Sequence, residues 1–505
     1  MIQLTQILKN RSFFRAAASV ACALLIAACS SSTSNPVISN PLPIVGKQIA
    51  GDTIRGPQNG TVTNVYPAGS PKAGQPHPIW YMDQSVIVPA GDTLLIQQGI
   101  TIIVLNTGNT AAGSPEFQVQ GTMICNGAKG APIYLTVAPG LRKYNSLTDV
   151  NSGALWGGIA GSATSGDVII KWTHLEYCGG SSGSTDPIYG NAGTRYAVWF
   201  QNPASNFIME DSWITGSTDD PLRISGGKVS IFRNVVECAA PTSGDFNMKS
   251  GTVGDIAFNV YVGIATNGPK LANTGGINPE CNVNIYNNTI VTGGWRCTKS
   301  GRAGSIDIEA GARGAIFNNL IVNCRTGFRA LGGSTIADTA NSAYDYQWYY
   351  GQTDTIVNHF NPSDGIQHLG THDMAGTAGQ HDPMFVSYNV TQIPAATWNT
   401  FPAAFSNQLP VENLMRTMDE NGNARFIDVP TSFKSNFNLQ PTSPCVNKAY
   451  IGTVKTNAGT VLQIPFNGTG ACPAYNATTN KFGAITKGLG ADFGAYQQDG
   501  SGNQQ

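Results

Sequence analysis

The sequence predicts an all-β solenoid of stacked parallel coils, and three observations predict it. A six-residue pattern recurs: segments beginning at Ile170, Ile208, Ile231, Ile256, Ile285 and Ile316 superpose on one another. Asn fills one column of that pattern at Asn234, Asn259, Asn288 and Asn319, and the alignment puts Asp211 in the same column. The period runs from the low twenties to about thirty residues, the length of one solenoid repeat. The second observation is composition: only 12% of residues are charged while 59 are Gly, which suits a chain of short strands and tight turns. The third is the absence of a sustained helical period; β-branched and aromatic residues flank each Asn instead.

A parallel coil explains the column. Equivalent residues of successive coils lie about 4.8 Å apart, so their amides can hydrogen-bond up and down the stack. Asn also tolerates the left-handed backbone that a strand-to-strand bend requires.

The chain opens with a basic region, Lys9, Arg11 and Arg15, then an apolar run from Ala16 to Ala28 too short for a stable span. Ile26, Ala27, Ala28 and Cys29 resemble the lipobox of bacterial lipoproteins. That resemblance implies a signal peptide over 1–28, lipidation of Cys29, and a membrane partner reached through acyl chains. With Ser30 after the cysteine, an outer-membrane or cell-surface address is expected. Residues 29–45, rich in Ser, Asn and Pro, read as a flexible tether. No second apolar run reaches spanning length, and a net charge of −1 argues against a nucleic-acid partner.

Beyond the rungs, Val86 to Gly99, Phe117 to Thr122, and Trp156 to Ile159 resemble opening coils of the right-handed parallel β-helix proteins, the pectate-lyase-like superfamily. Asp382 to Phe385, Ser443 to Cys445, and Asp492 to Tyr496 are similar to the closing segments of its surface lipoproteins. The resemblance covers about 80–497 and implies a right-handed parallel β-helix with N- and C-terminal caps over 46–497. Within it, 46–80 is expected as the N-terminal cap and 81–335 as about ten main coils. Residues 336–430 are expected as irregular decoration, 431–497 as last coils and C-terminal cap, and 498–505 as a loose tail. The superfamily holds lyases, hydrolases and adhesins, so fold alone does not give function.

Eight cysteines remain after Cys22 and Cys29. Their even number in an oxidising compartment allows disulfides, with Cys281–Cys297 and Cys445–Cys472 the pairs that close short loops; buried free thiols are the alternative. None has metal-ligand spacing, and no metal site is expected.

Five constellations carry chemistry. Asp245, Asn247 and Lys249 alternate with Phe246 and Met248, which puts the polar three on one face. In the alginate-lyase and chondroitinase-B-like branch a similar Lys-Ser pair precedes an Asn rung, and the resemblance implies Lys249 as Brønsted base, with calcium as cofactor if the chain is a lyase. The branch's arginine on the following coil is replaced here by Lys270. Asp219 and Asp220 match the paired aspartates of inverting glycosidases, but no partner motif accompanies them, and a turn role is the plainer reading. Arg296, Lys299, Arg302, Asp307, Glu309 and Arg313 form a charged group in a chain poor in charge; Arg302 and Arg313 are expected to pair with the two acids and to hold an acidic sugar, or else to brace the outer wall. His359, His368, His372 and His381, with Asp364, Asp373 and Asp382, suit solvated loops better than a metal site, since Gly370 opposes the helix a His368–His372 pair needs. Tyr344, Tyr346, Trp348, Tyr349 and Tyr350 offer a stacking platform for sugar, or core packing.

The functional expectation is a lipid-anchored cell-surface β-helix contacting extracellular polysaccharide. The alternatives are a polysaccharide lyase acting by β-elimination through Lys249, and a structural or adhesive surface protein.

Overall fold

Ten strands, among them Gly60–Val62, Gly227–Phe232, Thr252–Ala257, Asn282–Tyr286 and Ala343–Asp345, stack in parallel register as one sheet in a computed structural model of the chain. The structure describes residues 44–505 except 108–112, 143–154, 184–185, 191–192, 194, 240–243, 275, 277–278, 296–303, 332–335, 362–368, 389–434, 467–474, 477–480 and 483–487. A second sheet of nineteen strands takes two strands from most coils. The described chain is thus a right-handed parallel β-helix with three faces. Its first face is the ten-stranded sheet, its second runs from Thr101–Val104 to Trp348–Tyr350, and its third runs from Glu116–Val119 to Arg329–Ala330. Right-handed closure follows from the twist of L-residue strands.

Alternation builds the core. Ile231, Ile256, Ile285 and Ile316 are register partners on four successive coils, and all are fully buried. Each such burial contributes about 1.5–3 kcal/mol, repeated coil after coil. Inside, Phe246 and Tyr261 meet edge to face at 5.1 Å.

The Asn column forms a buried ladder at the corner between the first and second faces. Asn234 Nδ2 donates to Asn259 Oδ1 at 2.9 Å, Asn259 to Asn288 at 3.0 Å, Asn288 to Asn319 at 2.9 Å, and Asn319 to Gln347 Oε1 at 2.9 Å. Each amide also donates to a main-chain carbonyl of the previous coil, such as Met209 O or Ile231 O. Two details differ from the sequence reading. The left-handed residue is the one before the ladder position: Arg233, Phe258, Asn287 and Asn318 have φ of 57°, 57°, 50° and 58°. Moreover, Ser212 occupies the rung below Asn234, its N–H donating to Asn234 Oδ1 at 3.0 Å. Met209 rather than Ile208 pairs with Ile231, which shifts Asp211 by one into the left-handed column, where it binds Arg233 at 2.7 Å.

The solenoid starts earlier than expected. Thr53–Pro57 and Gly60–Val62 already pair in the two sheets, so strand pairing begins inside the stretch assigned to a cap. At the other end Trp348–Tyr350 still belongs to a coil, within the stretch read as irregular. The described part of 431–497 adds no further coil. Asn436–Leu439 pairs antiparallel with Phe385–Ser387, and the rest runs back along the outside. Asn287 and Asn318, turned outward by their left-handed backbone, hold that return: Asn287 Nδ2 donates to Asp492 O at 2.8 Å and Asn318 Nδ2 to Tyr450 O at 2.7 Å. Consecutive asparagines therefore divide the work, 287 and 318 facing out, 288 and 319 facing in. Nor is 498–505 a loose tail. Asn503 is buried, donating to Phe258 O at 3.1 Å and Asn234 O at 3.3 Å, because the corner carbonyls need donors that the helix itself lacks.

Cys125, Cys178, Cys281, Cys324 and Cys445 are buried free thiols. The expected pairs are therefore not formed at Cys281 and Cys445; Cys297 and Cys472 lie outside the described residues, as do the signal peptide, Cys29 and the tether up to Pro43. Burial pushes the Cys281 thiol up to about 12, as it does Cys125 and Cys324. Among the described residues no helix is long and apolar enough to cross a membrane.

Candidate binding site

On the third face, short strands place apolar–polar–apolar triplets one above another, at 222–224, 246–248, 269–271 and 306–308. Their flanking residues fill the core. Their central residues point outward as a column in strict register: Arg223, Asn247, Lys270, Asp307 and Arg329. With coils about 4.8 Å apart, the column brings together groups up to 106 positions apart in sequence.

The column is knitted across coils. Asn247 Nδ2 donates to Asp220 Oδ2 at 2.8 Å, and Arg223 lies 3.8 Å from the same carboxylate. Lys270 Nζ meets Glu309 Oε1 at 2.9 Å and Asp307 Oδ2 at 3.6 Å. Two positions before Asn247, Asp245 accepts from the Thr266 hydroxyl, and from the Asn267 N–H at 3.0 Å. Beyond Met248 stands Lys249, main chain fixed by its N–H to Ile224 O at 2.8 Å. Gly276 seats the neighbouring loop: a β-carbon there would lie 2.6 Å from Ser250 N and 2.7 Å from the Lys249 β-carbon.

Burial sets the electrostatics. The Lys249 amine is held down at about 8 by burial first and then by Arg223 and Lys270, against Asp220 and Glu309. Burial raises the Asp307 carboxyl to about 6, although Lys270 and Arg329 oppose it. Asp245 is also raised, by burial and by Asp220. Lys249 takes no ion-pair partner among the described residues.

The structure thus joins candidates that the sequence kept apart. Asp245, Lys249, Lys270, Asp307 and Glu309 share one site, joined by Asp220 of the Asp219–Asp220 pair; Arg223, Asn267, Ser305 and Arg329 were missed. The repeated apolar–polar–apolar triplets at 222–224, 246–248 and 306–308 were the available signal. Of the expected sugar clamp, Arg296 and Arg302, with Lys299, lie outside the described residues. Arg313 does not pair with Asp307 or Glu309: left-handed Ala310 and Gly311 turn the chain off the third face, and Arg313 meets Glu280 at 3.1 Å instead. The Asp219 carboxylate accepts from the Asp220 N–H at 2.8 Å and its carbonyl from the Ser217 hydroxyl at 2.7 Å, leaving one aspartate of that pair in contact with the column.

The other constellations join no such column, and His372 is exposed. His372 pairs with Asp345 at 2.6 Å and stacks on Tyr346 at 4.5 Å, His359 meets Thr355 O at 2.6 Å, and His381 lies edge-on to Trp348; His368 and Asp364 lie outside the described residues. Tyr344, Trp348, Tyr349 and Tyr350 are buried in the core. Calcium does not fit the column, because its one carboxylate, Asp307, stands between Lys270 and Arg329, and among the described residues no group of three or more His, Cys, Asp or Glu is placed to hold a metal. Two cavities of about 710 and 480 Å³ lie elsewhere, one lined by Ile451, Val454, Leu462 and Leu489 and one beside Tyr66 to Lys72; neither gathers polar groups from several coils as the column does.

Comparison with protein-family models, curated proteins and solved structures finds no match to this chain.

Proposed function

We propose that this protein is a lipid-anchored β-helix of the bacterial cell surface that binds an acidic extracellular carbohydrate on its third face. The supporting observation is a concentration of buried polar atoms without hydrogen-bond partners: Asn247 Oδ1, both amide atoms of Asn267, Ser305 Oγ and Asp307 Oδ1. A buried polar group left unpaired costs about 1–3 kcal/mol. A polyhydroxylated ligand offers donors and acceptors in matching mixture, and Arg223 and Lys249 suit its carboxylate. The lipobox-like segment ending at Cys29 supports the surface address.

A second reading, a pectate-lyase-like polysaccharide lyase, is favoured by the Lys249 amine. Held down at about 8, it is a competent base near neutrality. The uronate C5 proton would pass to Lys249 Nζ as the C4–O bond breaks and the C4–C5 double bond forms, the departing oxygen taking a proton from solvent.

Affinity electrophoresis on pectate, alginate and glycosaminoglycan gels tests the binding reading, with ultraviolet absorbance of unsaturated products read in parallel. Retardation lost in Lys249→Ala, without product, supports binding. Product formation supports the lyase. Neither result leaves the third role, a structural or adhesive surface protein.

A further inference from the structure

Directly below Arg223 in the same outward column stands Trp199, paired with it in register. Trp199 and Tyr196 are partly exposed, in contrast to the buried Lys270 and Asp307 farther along. The two rings are edge to face at 5.8 Å, Tyr189 tilts against Trp199 at 4.6 Å, and the Arg223 guanidinium lies 5.0 Å from the Tyr196 ring centroid.

This aromatic group is built to keep its shape. Trp199 Nε1 donates to Ser225 Oγ at 3.3 Å, and the Tyr196 N–H donates to the Tyr189 hydroxyl at 3.2 Å. Asp186 Oδ1 accepts from the N–H groups of Ile188 and Tyr189, both at 2.9 Å. Beneath them Arg195 is clamped by Glu116 at 3.0 Å and Asp186 at 2.5 Å, and donates to Ser114 O and Ser181 O. The anchor fixes the chain that carries Tyr189 and Tyr196.

We infer that Trp199 and Tyr196 form a second sugar subsite, stacking the apolar faces of the units that follow the one held among Arg223, Asn247, Lys249 and Lys270. The inference rests on the carbohydrate reading of the column. Coils spaced about 4.8 Å apart match the repeat of one hexose in a 1,4-linked chain, so a chain parallel to the solenoid axis advances one unit per coil. The gradient of exposure fixes its direction: the terminal acidic unit sits at the buried end and the chain leaves over the rings.

Calorimetric titration with oligogalacturonides and cello-oligosaccharides of one to four units tests this on the wild-type protein, Trp199→Ala, Trp199→Phe, Tyr196→Ala and Lys249→Ala. Circular dichroism establishes that each variant folds, and Trp199→Phe serves if the alanine variant does not. The expected result is affinity that rises with oligogalacturonide length, the rise falling at least about fivefold in Trp199→Ala while galacturonate itself binds unchanged. Lys249→Ala should weaken every length. Length-independent binding, or a length effect that survives in Trp199→Ala and Tyr196→Ala, overturns the subsite and leaves the polar site standing. Trp199-dependent binding of cello-oligosaccharides alone keeps the subsite and removes the acidic ligand. No binding of either series overturns both.

Discussion

Asp220 accepts the Asn247 side-chain N–H at 2.8 Å from the coil above, although the two residues are 27 positions apart. The contact ties adjacent coils on the outer wall and leaves Asn247 Oδ1 turned to the column. Asn247→Asp would set two buried carboxylates against each other. A loss of about 1–3 kcal/mol is expected, read from denaturant midpoints, and it should shrink as acid protonates one of the pair.

Lys249 separates the two functional readings by pH. Its folded pKa is lowered to about 8, so the amine is charged below pH 8 and neutral above. If it binds a uronate as a cation, affinity declines as pH rises through about 8. If it is a base, turnover rises over the same range and then levels. Titrations and rates at pH 6.5 to 9.5 decide between them, each with Lys249→Gln as the flat control.

Glu116 makes stability fall with rising pH. Burial raises its folded pKa to about 8 from an ordinary 4.5, so between those values the folded state holds a proton the unfolded state has lost. The contribution is fully present below about pH 4.5 and gone above about pH 8. Thermal midpoints of Glu116→Gln should lack that component of the decline; an identical slope in both proteins would remove Glu116 as its source.

Asn288→Ala strikes the ladder at its centre. The residue donates to Ile256 O and Asn319 Oδ1 and accepts from the N–H and the amide of Asn259. Several buried groups lose partners at about 1–3 kcal/mol each, so a loss of about 3 kcal/mol or more is expected by chemical denaturation. Asn288→Asp, which keeps the acceptor, should cost less near its own pKa than above it.

Gly494→Ala targets the return segment. Its φ is +84°, and an added β-carbon would lie 2.6 Å from Thr289 Oγ1 and 3.0 Å from the Leu320 β-carbon. The variant should lift the segment from the second face, seen as faster amide exchange at Ala495 and Tyr496 with the inner ladder still protected.

The solenoid was legible because a ladder demands the same side chain at every rung: Asn234, Asn259, Asn288 and Asn319 announce it. The lower rungs were obscured where Ser212 replaces Asn, since its hydroxyl meets the same need with a different letter. The site was half legible. Asp245, Lys249 and Lys270 stood out as charges in a chain with few, but their union with Asp307 and Arg329 depends on loops of unequal length between coils, which hide the register. Trp199 escaped notice because one aromatic residue in a strand looks like core, and only its register with Arg223 turns it outward. The return of the C-terminal part was illegible for another reason: its partners are outward residues such as Val260 and Leu320, whose apolar character reads as ordinary strand composition.

That return segment covers an outward apolar row, Val235, Val260 and Leu320, with Phe493, Ala495 and Tyr496 in the same buried cluster. During synthesis the coils are complete long before residues 493–496 emerge, so a sticky stripe stays bare on an otherwise finished barrel. A chaperone that shields greasy surfaces would be needed until the belt is fastened. Clipping that belt afterwards would restore the stripe and make neighbouring copies adhere.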